Sequence, residues 1–164
     1  MALHSHRNTG RAMKATTAII AGGLVAGAAD ITYACVHYNL VYGTPPERIF
    51  QSVAAGLIGK DAATAGGWGT AALGLGAHMA IALIMAAAFV GISMVVPLVR
   101  KLWSITGPLY GLGLMFLMNL VIVPMSAAGG PAQLPQGEFL YGAIFAHTIL
   151  VGLPIAWFAA RVKR

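Results

Sequence analysis

The chain has 164 residues, 59% of them hydrophobic and 9% charged, with a mean hydropathy of +0.80. An ordinary soluble domain carries about 25% charged residues, so a water-soluble globule is excluded, as is a disordered chain, which would be charge-rich and poor in apolar side chains. The net charge of +6 alone would admit a nucleic-acid partner, while the single cysteine removes any disulfide framework.

In chain order, Arg7, Arg11 and Lys14 precede a first apolar stretch at about 16–42. It exceeds the roughly 20 residues that a helix needs to cross about 30 Å of hydrocarbon. Its beginning also imitates a secretory signal, with Ala26-Gly27-Ala28 at the cleavage position. The apolar run continues to Val41, so an uncleaved span is the expectation. At 100° per residue, Gly23, Gly27, Asp30, Ala34 and His37 share one stripe. A face both small and polar should turn into a bundle or toward a second copy. Thr44-Pro45-Pro46-Glu47 then reads as a capped helix start, and Ile49, Phe50, Val53 and Leu57 recur at helical spacing before Gly59. This predicts a short amphipathic helix at about 45–58, on the outer membrane surface or over the bundle mouth, as a packed connector or as a lid.

The second span covers about 69–96 and carries Ala77-His78; the third covers about 104–125, with Gly107-x-x-x-Gly111 and Asn119; the fourth covers about 139–160, with Ala146-His147. Pro97, Pro108, Pro124 and Pro154 fall near expected ends or kinks, which membrane helices tolerate. The paired Ala-His positions hint at a two-plus-two duplication. Backbone groups cannot stay unpaired in lipid, so spans of this length are helices, and no ten-residue alternation of a barrel is present. The predicted fold is an all-α integral membrane protein: one domain, a bundle of four transmembrane helices with a short amphipathic helix in the first outer loop.

Orientation follows from the basic residues. Arg100 and Lys101 join spans 2 and 3, and Arg161, Lys163 and Arg164 follow span 4, so eight of the ten Lys and Arg lie on one side. Arg48 and Lys60 share the other with Glu47, Asp61 and Glu138. By the positive-inside rule both termini are cytoplasmic, and the loops at 44–68 and 126–138 face outward.

Asp30 is the only charged side chain inside an expected span. Near a span's centre a carboxylate costs roughly 2.5–3.5 kcal/mol on insertion scales, so it calls for a partner or a role. At 1.5 Å per residue from the outer ends, Asp30 lies about 18 Å deep, His78 about 13 Å, His147 about 12 Å, Asn119 about 9 Å and His37 about 7 Å. If the stripes face inward, these five form a polar cluster in the outer half. Four readings fit. His37, His78, His147 and Asp30 are suitable ligands for a divalent metal. His78 and His147, at similar depth with glycines nearby, suit a haem, which without C-x-x-C-H would be non-covalent. An acid with histidines near the midplane is the composition of a proton or solute path. A structural polar core would have Asp30 hydrogen-bonded to His, Asn or Tyr to fix helix register.

Cys35 reads as a packing residue, and Trp68, Trp103 and Trp157 with Tyr42, Tyr110 and Tyr141 as interfacial aromatics. Met115 and Met118 alone do not make a copper path. No nucleophile elbow, P-loop, zincin or dinucleotide fingerprint occurs.

The pieces Gly23–Asp30 (GLVAGAAD), Pro45-Pro46-Glu47-Arg48-Ile49, His78, Gly107–Gly111 (GPLYG), Asn119 with Pro124, and Tyr141-Gly142 with His147 span almost the whole chain. On them the chain resembles a family of small bacterial four-helix inner-membrane proteins of uncharacterised activity, and distantly the YagU-type inner-membrane proteins. The resemblance implies a localisation and an architecture, and no mechanism. The expectation is a multi-pass protein of the bacterial cytoplasmic (inner) membrane, non-enzymatic: an accessory, scaffold, or small solute or proton permeation component. The lipid bilayer is its partner, with self-association or a membrane complex as a further expectation, and nucleic acid is not. No cofactor is the leading expectation; the competing one is a haem- or metal-binding redox protein using His78 and His147.

Overall fold

The computed structural model describes residues 13–163 and is built of helices. In chain order these are α1 (Ala15–Tyr42), α2 (Pro46–Ile58), α3 (Lys60–Ala65), α4 (Gly67–Val95), α5 (Pro97–Lys101), α6 (Trp103–Met125) and α7 (Glu138–Ala159). Four of them, α1, α4, α6 and α7, are long and apolar enough to cross a membrane. Arg7, Arg11 and Arg164, which entered the charge reading, lie outside the described residues.

Two local expectations are corrected. The stretch after Gly59 is not all loop, because α3 fits between two glycines, Gly59 at φ 83° and Gly66. Nor does Thr44 cap α2. Pro45 occupies the N-cap position, where its ring offers no acceptor, and no side-chain cap bond forms. Glu47 instead accepts a bond from Gln51 Nε2 at 3.5 Å.

Glycine determines how the long helices meet. Gly23 and Gly27 rest on Ala82, Leu83 and Met79 of α4, while Gly22 turns to Ile155 and Phe158 of α7. A Cβ on Gly23 would lie 2.9 Å from the Leu83 Cα. On a second seam, a Cβ on Gly107 would lie 2.7 Å from that of Ala156, and one on Gly111 or Gly152 would collide with the carbonyl of His147 or Gly107. The small-residue stripe of α1 thus serves packing inside the chain. Around the bundle the order is α4, α1, α7, α6; among the described residues α4 and α6 share no extended backbone packing. They meet through Tyr110, whose Oη donates to the Met85 carbonyl at 2.8 Å and whose ring lies 5.0 Å from that of Phe89.

The two ends differ. At one, the amide of Met13 donates to the Arg161 carbonyl and that of Lys163 to the Met13 carbonyl, so both described chain ends lie together beside α5. Lys14, Arg100, Lys101, Arg161 and Lys163 therefore gather at this terminal end. The opposite, loop end carries α2, α3 and the 126–137 segment, with Glu47, Arg48, Lys60, Asp61 and Glu138. There Tyr42 Oη donates to Glu138 Oε1 at 2.7 Å, joining α1 to α7. The close-packed core, with Ala26, Phe89, Val90, Leu114, Ile155 and Ala156, fills the terminal half.

The seam between α6 and α7 leaves no space for a side chain. Gly111→Ala is expected to cost about 1–3 kcal/mol through overpacking. Gly113→Ala, on an open face of the same helix, should leave stability unchanged or raise it. Thermal unfolding of both variants in detergent checks the contrast.

Candidate functional site

Two of the long helices change pitch where their polar residues sit. The ladder of α6 widens to i→i+5 spacing over Met118–Ile122, and that of α7 over Ala146–Gly152. Val123 N–H donates to the Met118 carbonyl and Leu153 N–H to that of Thr148. In both helices the next residue is a proline, Pro124 or Pro154. Proline supplies no N–H and its ring crowds the carbonyl four residues back, so the preceding turn opens. Side chains bond back onto the carbonyls just before or within these segments. Asn119 Nδ2 donates to Met115 O at 2.8 Å, His147 Nδ1 to Ala143 O at 2.9 Å, and Thr148 Oγ1 to Ile144 O at 2.7 Å.

Above the core, the loop half of the bundle is hollow. A cavity of about 390 Å³ lies between α4 and α6, bordered by Asp30, His78, Asn119 and His147. Its apolar walls include Ile81, Met85, Ile122 and Val151. Ser52, Val53, Gly56 and Leu57 of α2 close it at the loop end. The short helix therefore packs along α4, where a Cβ on Gly74 would run into the Phe50 carbonyl. Gln51 anchors it: buried, it donates to the Gly67 carbonyl at 3.0 Å and accepts from Arg48 Nη1 at 3.0 Å. A second chamber of about 230 Å³ lies between α1 and α7, bordered by Tyr33, His37, Tyr38 and Phe139. Asp30, Asn119 and His147 border both chambers and so form the wall between them.

Within that wall Asp30 is under-partnered. Among the described residues its carboxylate accepts no hydrogen bond; His78 Nε2 stands 3.8 Å from Oδ2 and donates instead to the Gly27 carbonyl at 3.0 Å. Each cavity histidine thus has one nitrogen fixed on a carbonyl, leaving Nδ1 of His78 and Nε2 of His147 free. His37 stacks on Tyr33, with ring centroids 5.4 Å apart, and its Nε2 is buried without a hydrogen-bond partner. The five residues singled out in the sequence all border the chambers, His37 only the second. They do not converge as metal ligands: among the described residues no three His, Cys, Asp or Glu side chains are grouped to hold an ion. Sequence reasoning missed Gln51, whose only signal was its place on the α2 face that carries Glu47 and Arg48, and it missed Tyr33, three residues from Asp30 on the same stripe.

No known protein family, curated protein or solved structure matches the chain, so the site stands on its own geometry.

The cavity lies in the loop half, beneath α2, and ends at the core. In a Cys35→Ala background, Ala77→Cys should react with a small water-soluble thiol reagent added from the loop side. Val90→Cys, buried in the terminal half, should stay unreactive from either side. Labelling of Val90→Cys would show a continuous path.

Proposed function

We propose that this chain is a multi-pass protein of a bacterial cytoplasmic membrane, with both termini cytoplasmic, whose outer half is a binding vestibule for a small solute. It acts as a non-enzymatic binding component and not as an open channel. The membrane setting is supported by four helices of spanning length and apolarity. The orientation is supported by the five basic residues gathered at the terminal end, which the positive-inside rule assigns to the cytoplasm. The resemblance to small bacterial four-helix inner-membrane proteins belongs to the same proposal.

One observation carries the functional reading: Asp30 borders two chambers and accepts no hydrogen bond. A purely structural polar core would spend Asn119 or a histidine on that carboxylate, since insertion at mid-span costs roughly 2.5–3.5 kcal/mol. The neighbours instead satisfy carbonyls, two of them on their own helices. The terminal half is filled by Phe89, Val90, Met115 and Ile155, so a single copy in this conformation holds a solute and does not pass it.

The test is a thermal-shift survey of the full chain in detergent against small amines, carboxylates, sugars, quinone fragments and haem. A ligand at 100 times its Kd adds about 2.7 kcal/mol to stability, several degrees for a chain of this size. Asp30→Asn should keep its own unfolding temperature and lose the shift. No class producing a shift would return Asp30 to a structural role. A Soret band with stoichiometric haem would replace the vestibule by a redox site on His78 and His147.

A further inference from the structure

We infer that the vestibule selects organic cations: a monovalent ammonium carrying an apolar substituent, its charge held by Asp30 at the wall between the two chambers. This rests on the vestibule reading and adds the class of ligand. Among the described residues that border either chamber, Asp30 is the only formally charged side chain, and none is Lys or Arg. The two histidines that share its surroundings, His78 and His147, each direct one ring nitrogen to a backbone carbonyl. The carboxylate is thus left with hydrogen-bonding capacity free and with a negative field that no Lys or Arg of the described lining cancels.

A bare metal ion does not answer that field, because no three ligating side chains converge there. An organic cation does. Tyr33, Tyr38 and Phe139 line the second chamber beside the carboxylate, and aromatic rings attract cations through their quadrupole, most of all weakly hydrated ammonium groups. Their packing holds the rings in place: Tyr38 lies 5.6 Å from Phe139, and Phe139 stacks on Tyr42 at 5.1 Å. On the other side of Asp30, the larger chamber offers apolar wall for the substituent, from Val53, Ile81, Met85 and Ile122. At about 390 Å³ it falls in the range of small-molecule sites, roughly 300–1,000 Å³. An anion would face the carboxylate unpaired, and a neutral molecule would leave it so.

Two probes of one shape separate charge from fit: benzyldimethyl(2-hydroxyethyl)ammonium and its uncharged carbon isostere, 3,3-dimethyl-4-phenylbutan-1-ol. Equilibrium dialysis of the full chain in detergent should show the cation binding at least about tenfold more tightly, a difference of about 1.4 kcal/mol. Asp30→Asn should erase that preference, leaving the pair within about twofold. Phe139→Leu, which keeps the carboxylate and the fold's apolar surface, should weaken the cation several-fold and leave the isostere unchanged, and it serves alone should Asp30→Asn fail to fold. Equal binding of the two probes, or binding of neither while another solute class stabilises the chain, would overturn the cation and leave the vestibule standing. Absence of binding by every class would remove both.

Discussion

Backbone meeting backbone between α6 and α7 is the constraint on which the rest of the bundle depends. Gly107 lies against the Gly152 backbone and Gly111 against the His147 carbonyl, with no side chain between them. At this depth of approach the two backbones are in direct van der Waals contact, the attraction that small residues make available between apolar helices. Gly23 and Gly27 do the same for α1 and α4, and Gly22 brings α1 onto α7. Three seams thus close on small residues. The fourth, between α4 and α6, closes on Tyr110 and Phe89 at the terminal end and on α2 at the loop end. A bundle closed tightly on three sides and propped open on the fourth is hollow where the props are furthest apart.

The prolines decide what faces the hollow. An uninterrupted α-helix through position 124 or 154 would lose one ladder bond and meet a ring–carbonyl clash, about 3 kcal/mol or more in a helix interior. Widening the preceding turns avoids the clash and shifts the rotation of the residues inside them. Asn119 and His147 are in those turns, and both reach the wall shared by the two chambers. The same device thus removes strain from the backbone and sets the polar lining.

The four long helices were legible because an apolar run of span length has one structural solution. The stripe through Gly23, Gly27, Asp30, Ala34 and His37 was legible because helical periodicity states which residues share a face. Periodicity does not state what that face meets. Whether Gly23 and Gly27 pack on α4 or on another copy depends on the complementary surface of Ala82 and Leu83, which carries no signal of its own. The seat of α2 along α4 depends on Gly74, one small residue among several in that span. The widened turns were hidden too: a proline in a long apolar helix produces a kink, a break or a wider turn according to what its neighbours hold in place, and Gly107, Gly111 and Gly152 hold α6 and α7 together here. Depth alone placed His37 with the other four; its separation into the second chamber follows from the rings of Tyr33 and Phe139 around it.

How polar groups are satisfied across the molecule separates a binding wall from a structural network. Gln51 and Ser93, the polar side chains most deeply buried among the described residues, both have partners: Gln51 on α2 and at the start of α4, Ser93 on the Val90 carbonyl. Tyr110 has the Met85 carbonyl, and Thr106 those of Val99 and Leu102. The fold therefore pairs its polar groups wherever packing is dense. The Asp30 carboxylate and His37 Nε2 are left without a hydrogen bond, and both border the smaller chamber. A buried donor or acceptor left unpaired costs about 1–3 kcal/mol. His37 Nε2 is such a deficit, and beside it the Asp30 side chain, 22% exposed, keeps contact with the open space of both chambers; the proposed vestibule would complete both with a partner from outside the chain.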